Sequence, residues 1–134
     1  MNRRMKLMLL SLLGSAALAG TPSPARVQLD GFLAAFNSGD RAAIEAFGKD
    51  HAPPDFLRPA IVDQTLEMSR TSGGYDVLEV DETSPLSLTS RVRARATKEV
   101  VFLSIVVGAD SPERIREITF QDAPPHPLVT SPDK

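Results

Sequence analysis

Four side chains in this sequence are the candidates for proton-transfer chemistry by type and by place near the expected mouth of the helices. Tyr75 is the chain's one phenol and follows Gly73-Gly74 directly; Asp55 and Asp63 are carboxylates in the segment before it, and His51 supplies an imidazole. A carboxylate that takes a proton and a phenol or imidazole that donates one make a cofactor-free acid–base pair, provided both face one cavity. Either carboxylate with either donor meets that requirement on residue type alone. The same residues also have a plain reading. Tyr75 then anchors a strand edge, His51 decorates a proline loop, Asp63 sits on the wet face of a helix, and Asp55 caps a local turn.

Other chemistries are excluded by type or spacing. The chain has no Cys, which removes disulfides, thiolate metal sites and a cysteine nucleophile. Its two histidines, His51 and His126, are far apart and share no helix face, so no metal site is expected. There is no Gly-x-Gly-x-x-Gly, and Ser38 and Ser104 lack the Gly-x-Ser-x-Gly elbow of a serine hydrolase. No cofactor is expected. At 42% hydrophobic and 24% charged the 134 residues read as one globular domain. A formal charge of −2 excludes a generally basic nucleic-acid binder. The stripe Arg91-Arg93-Arg95 reads as a solvated strand face balanced by Glu79 and Asp81 on the neighbouring strand.

The first twenty residues read as an address rather than as fold. Asn2-Arg3-Arg4-Met5-Lys6 is a positive n-region, Leu7 to Leu18 an apolar core, and Ala17-Leu18-Ala19 a small-x-small cleavage signature. Residues 1–19 are therefore expected to be a signal peptide, and the mature protein to be exported, periplasmic or extracellular, with no membrane association after cleavage. Loss of Arg3, Arg4 and Lys6 leaves 12 basic residues against 17 acidic ones, a formal charge of −5.

The remaining elements must position the chemistry. Residues 20–24, with Pro22-Ser23-Pro24, read as a stiff linker. Leu29, Phe32, Leu33 and Phe36 recur at i, i+3, i+4 and i+7, which predicts a helix ended by Asn37-Ser38-Gly39. Asp40 caps a second helix over 41–47 with Gly48 as its stop. His51-Ala52-Pro53-Pro54 reads as loop, with Phe56 and Leu57 plugging the core from it. A third helix is predicted over 59–69. From residue 75 the period changes to 2, with strands expected over 75–81, 86–96, 99–107 and 114–121. Residues 123–134, which hold four prolines, read as a disordered tail. Helices followed by an antiparallel meander predict an α+β fold, N-terminal helices packed on a curved antiparallel sheet of about four strands, over residues 25–122.

Phe32-Leu33-Ala34-Ala35-Phe36-Asn37-Ser38-Gly39-Asp40, followed by an Ala-rich helix ending at Phe47, resembles the opening of nuclear transport factor 2-like domains. That superfamily includes ketosteroid-isomerase-like and SnoaL-like enzymes beside many non-enzymatic modules. The resemblance covers about 100 residues, through Gly73-Gly74 to near Ala123. The chain is also similar to the small domain that precedes the catalytic domain in some exported serine hydrolases. The resemblance implies a cone with a pocket at its open end, and an isomerase, cyclase or dehydratase if the chain is an enzyme. A stand-alone copy would instead act on a separately encoded hydrolase. No catalytic motif of the family maps residue by residue onto Asp55, Asp63, Tyr75 or His51.

Small residues at Ser90, Val92, Ala94 and Ala96 either let helices come close or leave a cavity. In a cone the expected pocket lining is Phe32, Phe36, Ile61, Thr65, Val92, Ala94, Leu103 and Ile105. The third strand is apolar on both sides, so Phe102 and Val106, with Arg93 beside them, form an expected outer interface, covered by a homodimer or by docking to an exported protein. The reading is a non-catalytic exported module that binds a small apolar ligand or a partner protein.

Overall fold

The computed structural model describes residues 21–122. The expected signal peptide and tail, with His126, lie outside the described residues. Helix α1 runs Pro24–Ser38. Its start corrects the linker: Ser23 is the cap, its Oγ accepting from the Arg26 N–H at 3.1 Å, and Pro24 is the first helical residue, where a missing N–H costs nothing. Gly39 closes the helix at φ 68°, a left-handed conformation that suits glycine.

Helix α2 runs Arg41–His51 from an Asp40 cap. It passes through Gly48 rather than stopping there. A Cβ at Gly48 would lie 2.7 Å from Phe56 and 2.8 Å from Leu57, so this glycine serves close packing. His51 accordingly ends a helix instead of sitting in a loop. A 3-10 turn, Pro54–Leu57, follows. It half-buries Phe56 but leaves Leu57 38% exposed, so Leu57 does not plug the core. Helix α3 runs Pro59–Ser72 and ends at Gly73, φ 74°.

The strands are β1 (Tyr75–Ser84), β2 (Ser87–Ala94), β3 (Val100–Val107) and β4 (Ile115–Gln121). They form one antiparallel sheet in the order β1-β2-β3-β4, so β1 and β4 are the edges. This is the expected α+β class. Leu78 is an extra residue between the pairs Val77↔Val92 and Glu79↔Arg91, a bulge of the kind that raises local twist. β2 ends at Ala94, two residues short of the expected end, so Ala96 lies exposed in the following turn and shares no face with Val92.

The core lies between α1 and the inner face of the sheet. Leu29, Phe32 and Phe36 from the helix meet Leu88, Val92, Leu103 and Ile105 from β2 and β3, each at most 2% exposed. Burying such side chains contributes about 1.5–3 kcal/mol each. Ser90 sits among them at 0% exposure with its Oγ donating to the Leu103 carbonyl at 2.9 Å. Small residues there let α1 approach.

Candidate functional site

Helix α3 packs against the other helices and stands away from the sheet. Its buried positions, Val62, Thr65, Leu66, Ser69 and Ser72, include three hydroxyl residues. Ser69 Oγ donates to the Phe36 carbonyl at 2.6 Å, which ties α3 to the end of α1. Between α3 and the sheet opens a cavity of about 370 Å³. Gln64, Glu67, Met68, Thr71 and Ser72 line its helical side; Tyr75, Ala94, Thr97, Glu99, Val101, Phe120 and Asp122 line the sheet side. A second cavity of about 310 Å³ adjoins it, sharing Gln64, Met68 and Phe120 and adding Phe32, Phe56, Ile61, Thr65 and Ile118. Together they form a trough along α3, within the size range of small-molecule sites.

Tyr75 is held in the wall by its backbone. The Asn37 side chain donates to the Tyr75 carbonyl and accepts from its N–H, both at 2.9 Å, as a neighbouring strand would. Gly74, φ 94°, is needed for this approach, because a Cβ there would stand 3.0 Å from Asn37 Oδ1. The ring stacks on Phe36 at a centroid distance of 5.4 Å and packs against Phe120 at 5.8 Å. Burial pushes the phenol pKa above its ordinary value, and the charges of Glu99 and Asp122 push the same way, against a pull from the nearby Ser72 hydroxyl.

No known protein family, curated protein or solved structure matches this chain.

The four acid–base candidates do not converge. Tyr75 alone reaches the larger cavity. Asp63 is exposed on the outside of α3 and pairs with Arg41. Asp55 lines a third groove of about 370 Å³ with Pro53, Arg58 and Arg116, which adjoins the smaller cavity through Phe56, Ile61 and Ile118 but does not include Tyr75. His51 stacks on Phe47, and its Nδ1 lies 3.0 Å from the Glu113 carbonyl oxygen, which can only accept, so Nδ1 carries a proton. That contact belongs to a clamp. Gln28 Nε2 donates to the same carbonyl at 3.0 Å, and Arg114 donates to the Asp50 and Ala52 carbonyls at 2.8 Å, fastening the turn before β4 to the end of α2.

Half of the expected lining is core. Phe36, Val92, Leu103 and Ile105 are fully packed, at 0% exposure, and line none of these spaces. Phe32, Ile61 and Thr65 line the smaller cavity and Ala94 the larger. Met68, Phe120 and the three carboxylates Glu67, Glu99 and Asp122 were not anticipated. Met68 lies at i+3 and i+7 from Thr65 and Ile61 on α3, so its place on the trough side was readable; the carboxylates meet only through tertiary structure.

On the outer face, Phe102 and Val106 are half-buried and Arg93 is exposed. The arginine stripe is paired across strands, Arg91 with Glu79 at 2.8 Å and Arg95 with Asp76 at 2.9 Å. Asp76 takes the place expected for Asp81, which stands opposite Thr89. Among the described residues no three potential metal ligands come together, and no helix is long and apolar enough to cross a membrane.

Proposed function

We propose that the chain is an exported, nuclear transport factor 2-like module that binds a small apolar ligand in the trough between α3 and the sheet, without catalysing a reaction. The carrying observation is the pair of adjoining cavities, about 370 and 310 Å³, walled by Met68, Val101, Phe120, Phe32 and Ile118. An apolar, preformed space of this size is where small ligands bind. The separation of Asp63, Asp55 and His51 from Tyr75 favours binding over acid–base catalysis. Homodimerisation through Arg93, Phe102 and Val106, or docking of that face to an exported protein, belongs to the same proposal.

Native mass spectrometry of the protein purified from its own host tests the reading. A co-purified small molecule released on denaturation is the expected result, and a dimer mass would add the interface. A clean unliganded mass, together with no shift of the Met68 methyl signal when 1-octanol is added, would overturn it.

A further inference from the structure

The sheet has two edges, and they are built differently. The ladder between β2 and β3 fixes which residues face them. Val107 N–H donates to the Leu86 carbonyl at 2.9 Å and Ala94 N–H to the Glu99 carbonyl at 2.8 Å, so every second pair between these ends is a hydrogen-bonded one. Phe102, Ser104 and Val106 therefore turn their backbone groups to β4, where Gln121, Thr119 and Glu117 stand opposite. Ile118 and Phe120 are left pointing away from the sheet, and no backbone group among the described residues bonds them there. On the other edge the same alternation turns Tyr75 outward, and Asn37 satisfies it.

β1 is guarded against a neighbour. It carries a bulge at Leu78 and the acids Asp76, Glu79, Asp81 and Glu82, so a second β1 beside it would meet like charge. In β4 the opposite holds. Its bulge lies at Arg116, short of the open stretch, and its edge is complementary to itself. Two copies of β4 related by a two-fold axis at Thr119 set Ile118 against the partner's Phe120, and Phe120 against the partner's Ile118. The same register sets Arg116 against the partner's Asp122 at both ends. Both side chains are exposed, and neither is ion-paired among the described residues. A slipped register sets Phe120 against the partner's Arg116, or Ile118 against the partner's Asp122, so charge and apolar contact select one alignment.

We propose that the protein pairs β4 antiparallel with β4 of a second copy, in a two-fold dimer that joins the two sheets into one. Ile118 and Phe120 supply the backbone groups, each pair exchanging both of its N–H···O bonds. Their side chains lie on the trough side, so each copy's trough is continued by the partner's Ile118 and the partner's Phe120. The outer face, with Arg93, Phe102 and Val106, is left for another protein. The pairing needs no ligand, so it goes beyond the binding reading above and stands or falls separately from it.

Charge exchange at the two ends tests the register, read by sedimentation velocity on the protein purified from its host. The wild type is expected to dimerise. Arg116→Glu sets like charge against the partner's Asp122, and Asp122→Arg does so against the partner's Arg116. Each should weaken dimerisation about tenfold or more. Mixing the two variants restores opposite charge at both ends, so a heterodimer of wild-type strength is expected, which also shows both variants folded. In the wild type the Ile118 and Phe120 amides should exchange slowly with solvent and faster on dilution. A wild type that stays monomeric up to about 1 mM would overturn the proposal, and slow exchange in that monomer would assign the edge to another segment of the same chain. A dimer indifferent to both substitutions would overturn it too, by placing the interface on the outer face. So would two variants, folded by circular dichroism, that fail to pair on mixing. Octanol titration, read at the Met68 methyl signal, decides the ligand reading independently.

Discussion

Two helices meet the same sheet in different ways. Helix α1 places Leu29, Phe32 and Phe36 against Val92, Leu103 and Ile105, and nothing there is more than 2% exposed. Helix α3 offers the sheet Ile61, Gln64 and Met68, receives Ala94, Ile118 and Phe120, and leaves two cavities between. The difference comes from where each helix spends its buried stripe. α1 spends it on β2 and β3; α3 spends Val62, Thr65, Leu66 and Ser69 on its fellow helices and keeps only a ragged flank for the sheet. One half of the inner face is therefore closely packed and the other borders open space.

Truncating each half is the strongest way to break this comparison. Phe36→Ala should cost about 3–5 kcal/mol, the usual figure for a buried aromatic whose surroundings cannot collapse. Met68→Ala, at a half-buried side chain already facing open space, should cost under about 1 kcal/mol. Urea denaturation of both variants decides. Equal losses would mean that the α3 flank is packed as tightly as the α1 side.

Adding volume sharpens it from the other direction. Val92→Leu, at 0% exposure beneath α1, should lose about 1–3 kcal/mol through overpacking. Ala94→Val, two residues along the same strand but facing the larger cavity, should change stability by less than about 1 kcal/mol and weaken octanol binding. Ala94 is 1% exposed and belongs to the same core cluster as Val92, so a large loss at both positions would mean that the cavity wall yields no more there than the floor beneath α1.

The sequence makes the first half legible and the second almost illegible, for a physical reason. A packed helix–strand contact writes itself as periodicity, as in the 3.6-residue stripe of α1 and the alternation of β2 and β3, whose inner residues Val101, Leu103 and Ile105 are buried as the pattern requires. A cavity is written by what is missing. Ala94 was readable as small, but so was Ser90, and only the placement of α1 and α3 decides that both are buried while Ala94 alone borders the larger cavity. Gly48 misleads in the same way. Locally it is a helix stop; in the fold it is the floor on which Phe56 and Leu57 rest. Glu67, Glu99 and Asp122 come from a helix, a turn and a strand end, so no spacing rule connects them.

Between the two halves stands Tyr75, whose ring touches Phe36 on one side and faces the larger cavity on the other. Asn37 holds it there. Asn37→Ala removes both hydrogen bonds to the Tyr75 backbone and should cost about 1–3 kcal/mol, at roughly 1 kcal/mol for each bond and more for an edge left unsatisfied. The accompanying loss of order should appear in the Tyr75 ring signals. If it appears instead in those of Leu103, the core and the site are mechanically one unit.

The smallest expected effect is also the cleanest to read, because Tyr75 is the only tyrosine and the chain has no tryptophan. Its phenol pKa is raised above the ordinary value by burial first, then by Glu99 and Asp122. The folded state therefore holds the proton at a pH where the unfolded chain has begun to lose it, and proton binding favours the fold. The contribution is complete below the ordinary tyrosine pKa of about 10 and is lost as pH rises through the folded value. Phenolate absorbance should titrate with a midpoint above that of the urea-unfolded chain, and Tyr75→Phe should flatten the decline in stability on the alkaline side. Glu99→Gln with Asp122→Asn should bring the midpoint part of the way back, leaving the share due to burial. A midpoint unmoved by the double substitution would assign the shift to burial alone, and the ring would then belong wholly to the packed half of the molecule.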